Sequence, residues 1–166
     1  AGHLASATAG ATRVDIIGGA RDEESTRLLT RAQADGIVTW HGFLPSSAAL
    51  QQLPGALAGL SLLQDLPNYR HSRPTKIVEY MAHGVPVVTT PLPVAVDLVE
   101  RAGAGIVVPF DDPQAATAAV LALRADPTRA AALGRAGHEA ARTSYDWGVA
   151  GPAFTATLRS FLRPPT

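Results

Sequence analysis

Five short apolar runs recur along the chain, at 13–17, 37–40, 59–63, 85–89 and 105–108, with helical patterns between them. None alternates polar with apolar residues as a half-exposed strand would, so each reads as a strand covered on both faces. The intervening segments carry the helical period instead. Ala95, Leu98, Val99 and Ala102 fall at i, i+3, i+4, i+7, as do Ala116, Ala119, Val120 and Leu123. Leu133, Ala136, Gly137 and Ala140 repeat the spacing, and Phe154, Leu158 and Phe161 mark a last helix. Asp112-Pro113 and Asp126-Pro127 are written alike as helix starts, a capping carboxylate followed by a proline suited to the first helical position. Strands joined by helices in this order give βαβ units. The expected fold is α/β: a Rossmann-like, three-layer α/β/α domain with a parallel sheet, one domain over residues 1–166. The opening "AGHLASATAGAT" reads as the last turns of a helix leading into the first run. A Rossmann-like half has a strand before that helix, so the expectation is a domain without its first strand. Arg163-Pro164-Pro165-Thr166 reads as a frayed tail.

In folds of this class ligands bind at the carboxyl ends of the strands. That directs attention to the loops at 18–22, 41–46, 64–75 and 90–93. The third leads into "SRPTKIVEYMAHGVPVV", residues 72–88. Ile77, Tyr80, Met81 and Gly84 form its inward stripe, with Lys76, Glu79 and His83 on the other side. As a solvated polar face, the second stripe needs only an i,i+3 ion pair between Lys76 and Glu79, worth a few tenths of a kcal/mol. As a site, the loop Ser72-Arg73-Pro74-Thr75 delivers unpaired N–H groups and a helix dipole to a phosphate. Lys76 would add a cation, and Glu79 an acceptor for ribose hydroxyls. Asp65, Asn68, Tyr69 and Arg70 share the same long loop without an assignable role.

Composition removes several classes. Lys plus Arg and Asp plus Glu number 14 each, so the basic excess of a nucleic-acid-binding domain is missing. With no cysteine there is no disulfide, thiol nucleophile or thiolate zinc site. The five histidines, at 3, 41, 71, 83 and 138, lack zinc-site spacing, and no G-x-S-x-G elbow suggests a hydrolase. No apolar run approaches the length of a membrane span and no signal peptide is visible, so a soluble cytoplasmic protein is expected.

The segments around residues 72–88 carry a resemblance. "SRPTKIVEYMAHGVPVVTT" resembles the P-x-K-x-x-E-Y-M-A-x-G-x-P-V-V pattern of the retaining GT-B glycosyltransferases of the family 4 type. That pattern lies in their C-terminal, nucleotide-sugar-binding domain. "VDIIGGA", "IVTWHGFLPSSAALQQL", "AGAGIVVPFDDPQAATAAVLAL" and "YDW" are similar to further segments of that domain, in the same order, over about residues 13–162. The resemblance implies the C-terminal half of a GT-B fold, part of a longer hexosyltransferase that is inactive as an isolated piece. Its donor would be a nucleoside diphosphate sugar, with no metal and no other cofactor. Glu79 matches the second glutamate of the family's E-x7-E motif, which binds the donor ribose. Lys76 matches a lysine that contacts donor phosphate, with Pro74 and Thr75 before it. Gly18 and Gly19 match the strand-end glycines near the nucleotide, where a side chain would block close approach. His41 is read as structural.

The departures are as specific as the matches. His71 stands where the first glutamate of E-x7-E belongs, near the donor sugar. Leu92-Pro93 and Asp97 replace the family's Gly-Gly pair and a following glutamate. The basic diphosphate-gripping loop would lie upstream, as would an N-terminal GT-B domain, the partner expected to supply the acceptor wall and any peripheral membrane association. No nucleic-acid partner is expected. A sugar-nucleotide epimerase of the same architecture and a non-catalytic nucleotide- or partner-binding module stay open beside the glycosyltransferase. Catalytic residues, nucleotide, sugar and acceptor are not legible.

Overall fold

The computed structural model describes residues 1–161. The tail read at Arg163–Thr166 lies outside them. The chain runs α1 (Gly2–Ala7), β1 (Val14–Ile16), α2 (Glu23–Ala34), β2 (Val38–Trp40), α3 (Ser46–Leu50), β3 (Gly59–Ser61) and α4 (Pro67–Arg70). It continues with α5 (Thr75–Ala82), β4 (Val87–Thr89), α6 (Pro93–Ala102), β5 (Gly105–Val107), α7 (Pro113–Ala125), α8 (Pro127–Ser144) and α9 (Trp147–Phe161). All five expected strands are present, every pairing is parallel, and the Rossmann-like α/β class stands.

The strands form two ribbons. β1 pairs with β2, Val14 opposite Val38, and β3-β4-β5 form a second sheet with Val87 between Gly59 and Gly105. β4 is the central strand of its sheet and the only one buried at every residue. Its successive valines face opposite layers, as the two-residue period of a strand requires. Val87 packs with Ile77, Met81, Leu98 and Val99 from α5 and α6, and with Ala141 of α8. Val88 packs with Leu4 of α1 and with Ala119, Val120 and Leu123 of α7. Helices therefore cover both faces of this sheet. Coverage on both faces was expected of every strand, yet in β1 Asp15 is exposed, because this ribbon carries fewer helices.

The helix starts follow the sequence. Asp112 Oδ1 accepts from the Ala115 N–H at 2.8 Å, and Asp126 Oδ1 from the Arg129 N–H at 2.9 Å. Asp22 caps α2 in the same way, without a following proline. Replacing Asp126 with alanine strands an N–H at the head of α8 and should lower stability by about 1 kcal/mol. The urea midpoint of the Asp126→Ala chain measures it, and an unchanged midpoint would contradict the cap.

Two stripes differ from expectation. In α8 the buried residues are Ala130, Gly134, Gly137 and Ala141, one position along from the stripe read at Leu133, Ala136, Gly137 and Ala140. The pattern counted apolar size, whereas packing selected the smallest residues. A Cβ on Gly134 would sit 2.1 Å from the Gly84 carbonyl oxygen, so only glycine lets α8 lie this close to the end of α5. In α9, Phe154 and Phe161 are 52% and 79% exposed, so that stripe is not core. Trp147 meets Phe154 with ring centroids 5.6 Å apart, but it too lies mostly in solvent.

Candidate functional site

Helix α5 owes its position to three residues. Ile77 and Met81 are fully buried beneath it, and the Tyr80 hydroxyl donates to the Leu60 carbonyl of β3 at 3.3 Å. Burial pushes the Tyr80 phenol pKa up, and the neighbouring Glu79 charge pushes it the same way. The phenol therefore stays a neutral donor at physiological pH. The carboxyl end of β3 is tied to β4 by side chains. Thr89 Oγ1 donates to the Ser61 carbonyl at 3.1 Å and Thr90 Oγ1 to that of Leu63 at 2.6 Å. Because α5 returns antiparallel to β3, its first turn stands at the carboxyl end of the layer. Pro74 precedes that turn, and no side chain caps it. No acidic residue occupies it either.

Lys76 and Glu79 both line a cavity of about 530 Å³. Its other walls are Val14–Ile17 at β1, Ala58–Leu60 at β3, part of α3, and Leu4 and Val120 from the opposite layer. Among the described residues no ion pair joins Lys76 to Glu79, so the bland use of that stripe is not made. His83, the third member, is separated from them. As the residue closing α5, it donates from Nδ1 to the Glu79 carbonyl at 2.8 Å, beside a shallow hollow next to α8.

None of the other candidates, Gly18 and Gly19 included, lines this cavity. Gly18 follows the carboxyl end of β1 with φ +139°, a backbone region that favours glycine. Its N–H donates to the Gly42 carbonyl at 2.8 Å, and its own carbonyl accepts from Trp40 Nε1 at 2.9 Å. A Cβ at Gly18 or Gly19 would meet nothing within 4 Å, so the constraint at Gly18 is conformational, and Gly19 has no positive φ. His41 Nε2 donates to Asp15 Oδ1 at 2.8 Å across the two strands. His71 closes α4, is exposed, and does not line the cavity; neither do Pro74 and Thr75.

What the sequence left unassigned is the machinery holding the loop ahead of α5. Arg70 grips Asp65 through two bonds of 2.7 Å, and that guanidinium holds the Asp65 carboxyl below its ordinary range. The Ser72 hydroxyl donates to the Asn68 carbonyl at 2.6 Å. The Arg73 guanidinium lies over the Tyr145 ring, 5.6 Å from its centroid, tying the loop to the end of α8. An arginine five residues after an aspartate hinted at the first contact; nothing local could announce the second.

The model of the family described as glycosyl transferases group 1 matches residues 3–126. No curated protein matches. Among solved structures, sucrose-phosphate synthase from Thermosynechococcus elongatus superposes with a TM-score of 0.77 at 22% identity, over 96% of this chain and 41% of that one. Anabaena HepE in complex with UDP gives 0.74 at 19%, over 95% of this chain and 44% of that one. The same protein with UDP-glucose gives 0.71 at 19% identity, with the same coverage. At such identities the likeness concerns the fold, and the chain spans less than half the length of these structures.

Proposed function

Because the chain belongs to the group 1 glycosyl transferases, we propose that it is the donor-binding domain of a retaining glycosyltransferase that transfers a hexose from a nucleoside diphosphate sugar. The observation that carries this reading is the shared wall. Lys76 and Glu79, unpaired with each other, line one cavity that runs along β1 and β3, and Lys76 lies in the uncapped first turn of α5. That turn stands at the carboxyl ends of the strands, the end at which a doubly wound sheet binds its ligands. UDP and UDP-glucose in the Anabaena HepE complexes agree with a nucleotide-sugar donor.

In this reading the diphosphate meets the first N–H groups of α5, whose dipole favours negative charge, and the ammonium of Lys76. As the bond from the anomeric carbon to the diphosphate oxygen breaks, charge grows on that oxygen, where these fixed donors stabilise it. Glu79 accepts from the ribose hydroxyls and sets the nucleotide's register against the helix. Gly18 and Gly19 border the nucleotide from the β1 loop, and Thr75 offers its hydroxyl beside Pro74. His71, where the family has glutamate, stands apart from the cavity and leaves sugar contacts to other groups. Cofactor and metal have no part in the proposed chemistry, since the helix start and Lys76 supply the positive field. The N-terminal GT-B domain would supply the acceptor wall, and the domain by itself would bind donor weakly without turnover.

Calorimetric titration of the chain with UDP-, GDP- and ADP-glucose tests the reading. One of the three should bind with a Kd of about 1 mM or tighter, corresponding to roughly −4 kcal/mol. Binding of none removes the site.

A further inference from the structure

We propose that Arg73 is a positioning residue for the donor: stacked on Tyr145, it fixes the first turn of α5 against α8. The proposal rests on the donor reading above, in which that turn meets the diphosphate. α8 runs antiparallel to α5 and touches it at both ends. Near the end of α5 there is no room for a Cβ between Gly134 and the Gly84 carbonyl, and Gly137 lies against Met81. Ahead of the start of α5 the Arg73 guanidinium stands 5.6 Å from the centre of the Tyr145 ring, within cation–π range. α8 thus lies along α5 as a splint, and Arg73 is the tie at the end where the donor would bind.

One side of this tie is held firmly. Tyr145 closes α8, its N–H donates to the Ala141 carbonyl at 2.9 Å, and its ring packs against the buried cluster that contains Ile77, Met81 and Leu98. The other side needs holding. The Asp65–Arg70 pair and the bond from Ser72 to Asn68 close the loop ahead of α5 only on itself, so they shape it without fixing where it sits. Thr90 holds its beginning at Leu63, and Tyr69 packs on the same buried cluster in its middle. Its end is left to Arg73, which is exposed and pairs with no carboxylate among the described residues. Pro74 follows with φ −74°, a torsion its ring locks, so there is little slack between Arg73 and the first N–H groups of α5. A loose Arg73 would therefore displace those donors, and small misplacements of a binding group are costly. Arg73 does not line the cavity beside Lys76 and Glu79, which separates its role from direct contact.

A double-mutant cycle tests it. The parent, Arg73→Ala, Tyr145→Phe, Tyr145→Leu and the Arg73→Ala/Tyr145→Leu chain are titrated with UDP-, GDP- and ADP-glucose. Amide exchange is followed without ligand at Ile77, whose N–H donates to the Pro74 carbonyl at 3.0 Å. Arg73→Ala and Tyr145→Leu should each weaken the donor by about three- to tenfold, and the double variant no further, as two halves of one contact. Tyr145→Phe keeps the ring and should bind like the parent. Ile77 should exchange about fivefold faster in Arg73→Ala, with the global unfolding midpoint unchanged. If the Tyr145→Leu chain does not fold, this exchange decides, because an arginine that only touched the diphosphate would leave the free chain as it was. A loss at Arg73 without one at Tyr145→Leu makes Arg73 a direct contact and overturns the proposal. Additive losses, a loss in Tyr145→Phe, unchanged exchange at Ile77 or a lowered midpoint in Arg73→Ala overturn it too. If the parent binds a donor and the variants bind it as tightly, this proposal alone falls. If the parent binds none of the three, the donor reading falls and takes the proposal with it.

Discussion

Replacing Gly134 with alanine should destabilise the domain by about 2 kcal/mol or more. The same change at an exposed helical position stabilises by roughly 1 kcal/mol, because alanine is the better helix former. Propensity and packing therefore predict opposite signs, and the distance decides between them. The added Cβ would lie 2.1 Å from the Gly84 carbonyl oxygen and 3.1 Å from its carbon. The obstacle is backbone, so no rotamer change relieves it, and α8 must move away from α5. That movement opens the contacts of Met81 and Ala141 in the core under β4. Gly137 provides the contrast. A Cβ there would lie 3.1 Å from the Ala104 Cβ and 3.2 Å from Met81 Cγ, and methionine can adapt, so Gly137→Ala should cost less. Urea unfolding of the two variants gives the comparison. A Gly134→Ala chain as stable as the parent would mean that α5 and α8 are not held this close.

The same pair of glycines marks the limit of what the sequence could say. Strand positions were legible because short unalternating apolar runs have few other uses, and all five appear within two residues of expectation at either end. The helix starts at Asp112 and Asp126 were legible because capping is local chemistry. Which face of α8 turns inward was not, since the choice depends on a carbonyl fifty residues away. Around the site the division is similar. Lys76 and Glu79 could be singled out from one helix and one motif, while the cavity they line needs β1, α3 and α7 brought together. Nor could local pattern tell that His71 would stay outside that cavity's lining, or that Arg73 would settle on Tyr145. Those are meetings of segments, and only the closed fold makes them.

Replacing Glu79 with alanine should weaken donor binding by about 10- to 100-fold while leaving stability within roughly 0.5 kcal/mol of the parent. The stability half follows from position: Glu79 is exposed and its side chain makes no ion pair with Lys76, so its loss leaves no buried group stranded. The binding half follows from chemistry. A carboxylate accepting from ribose hydroxyls makes charge-assisted bonds, each worth about 1.5–3 kcal/mol, and alanine offers nothing in their place. Lys76→Ala should differ in kind. A half-exposed ammonium acts on the diphosphate as a screened charge, so its effect should shrink as salt rises from 0.05 to 0.5 M, on the order of the range over which screening sets in. The Glu79 effect should persist, since hydrogen bonds at fixed geometry are less screened. Glu79→Gln separates the remaining alternatives: it keeps an acceptor oxygen and should recover part of the affinity if ribose contact is the role. Isothermal titration of the three variants at both salt concentrations measures all of this. Equal donor affinity in the parent and Glu79→Ala chains would take Glu79 out of the site, and a salt-independent loss at Lys76 would remove it from the diphosphate.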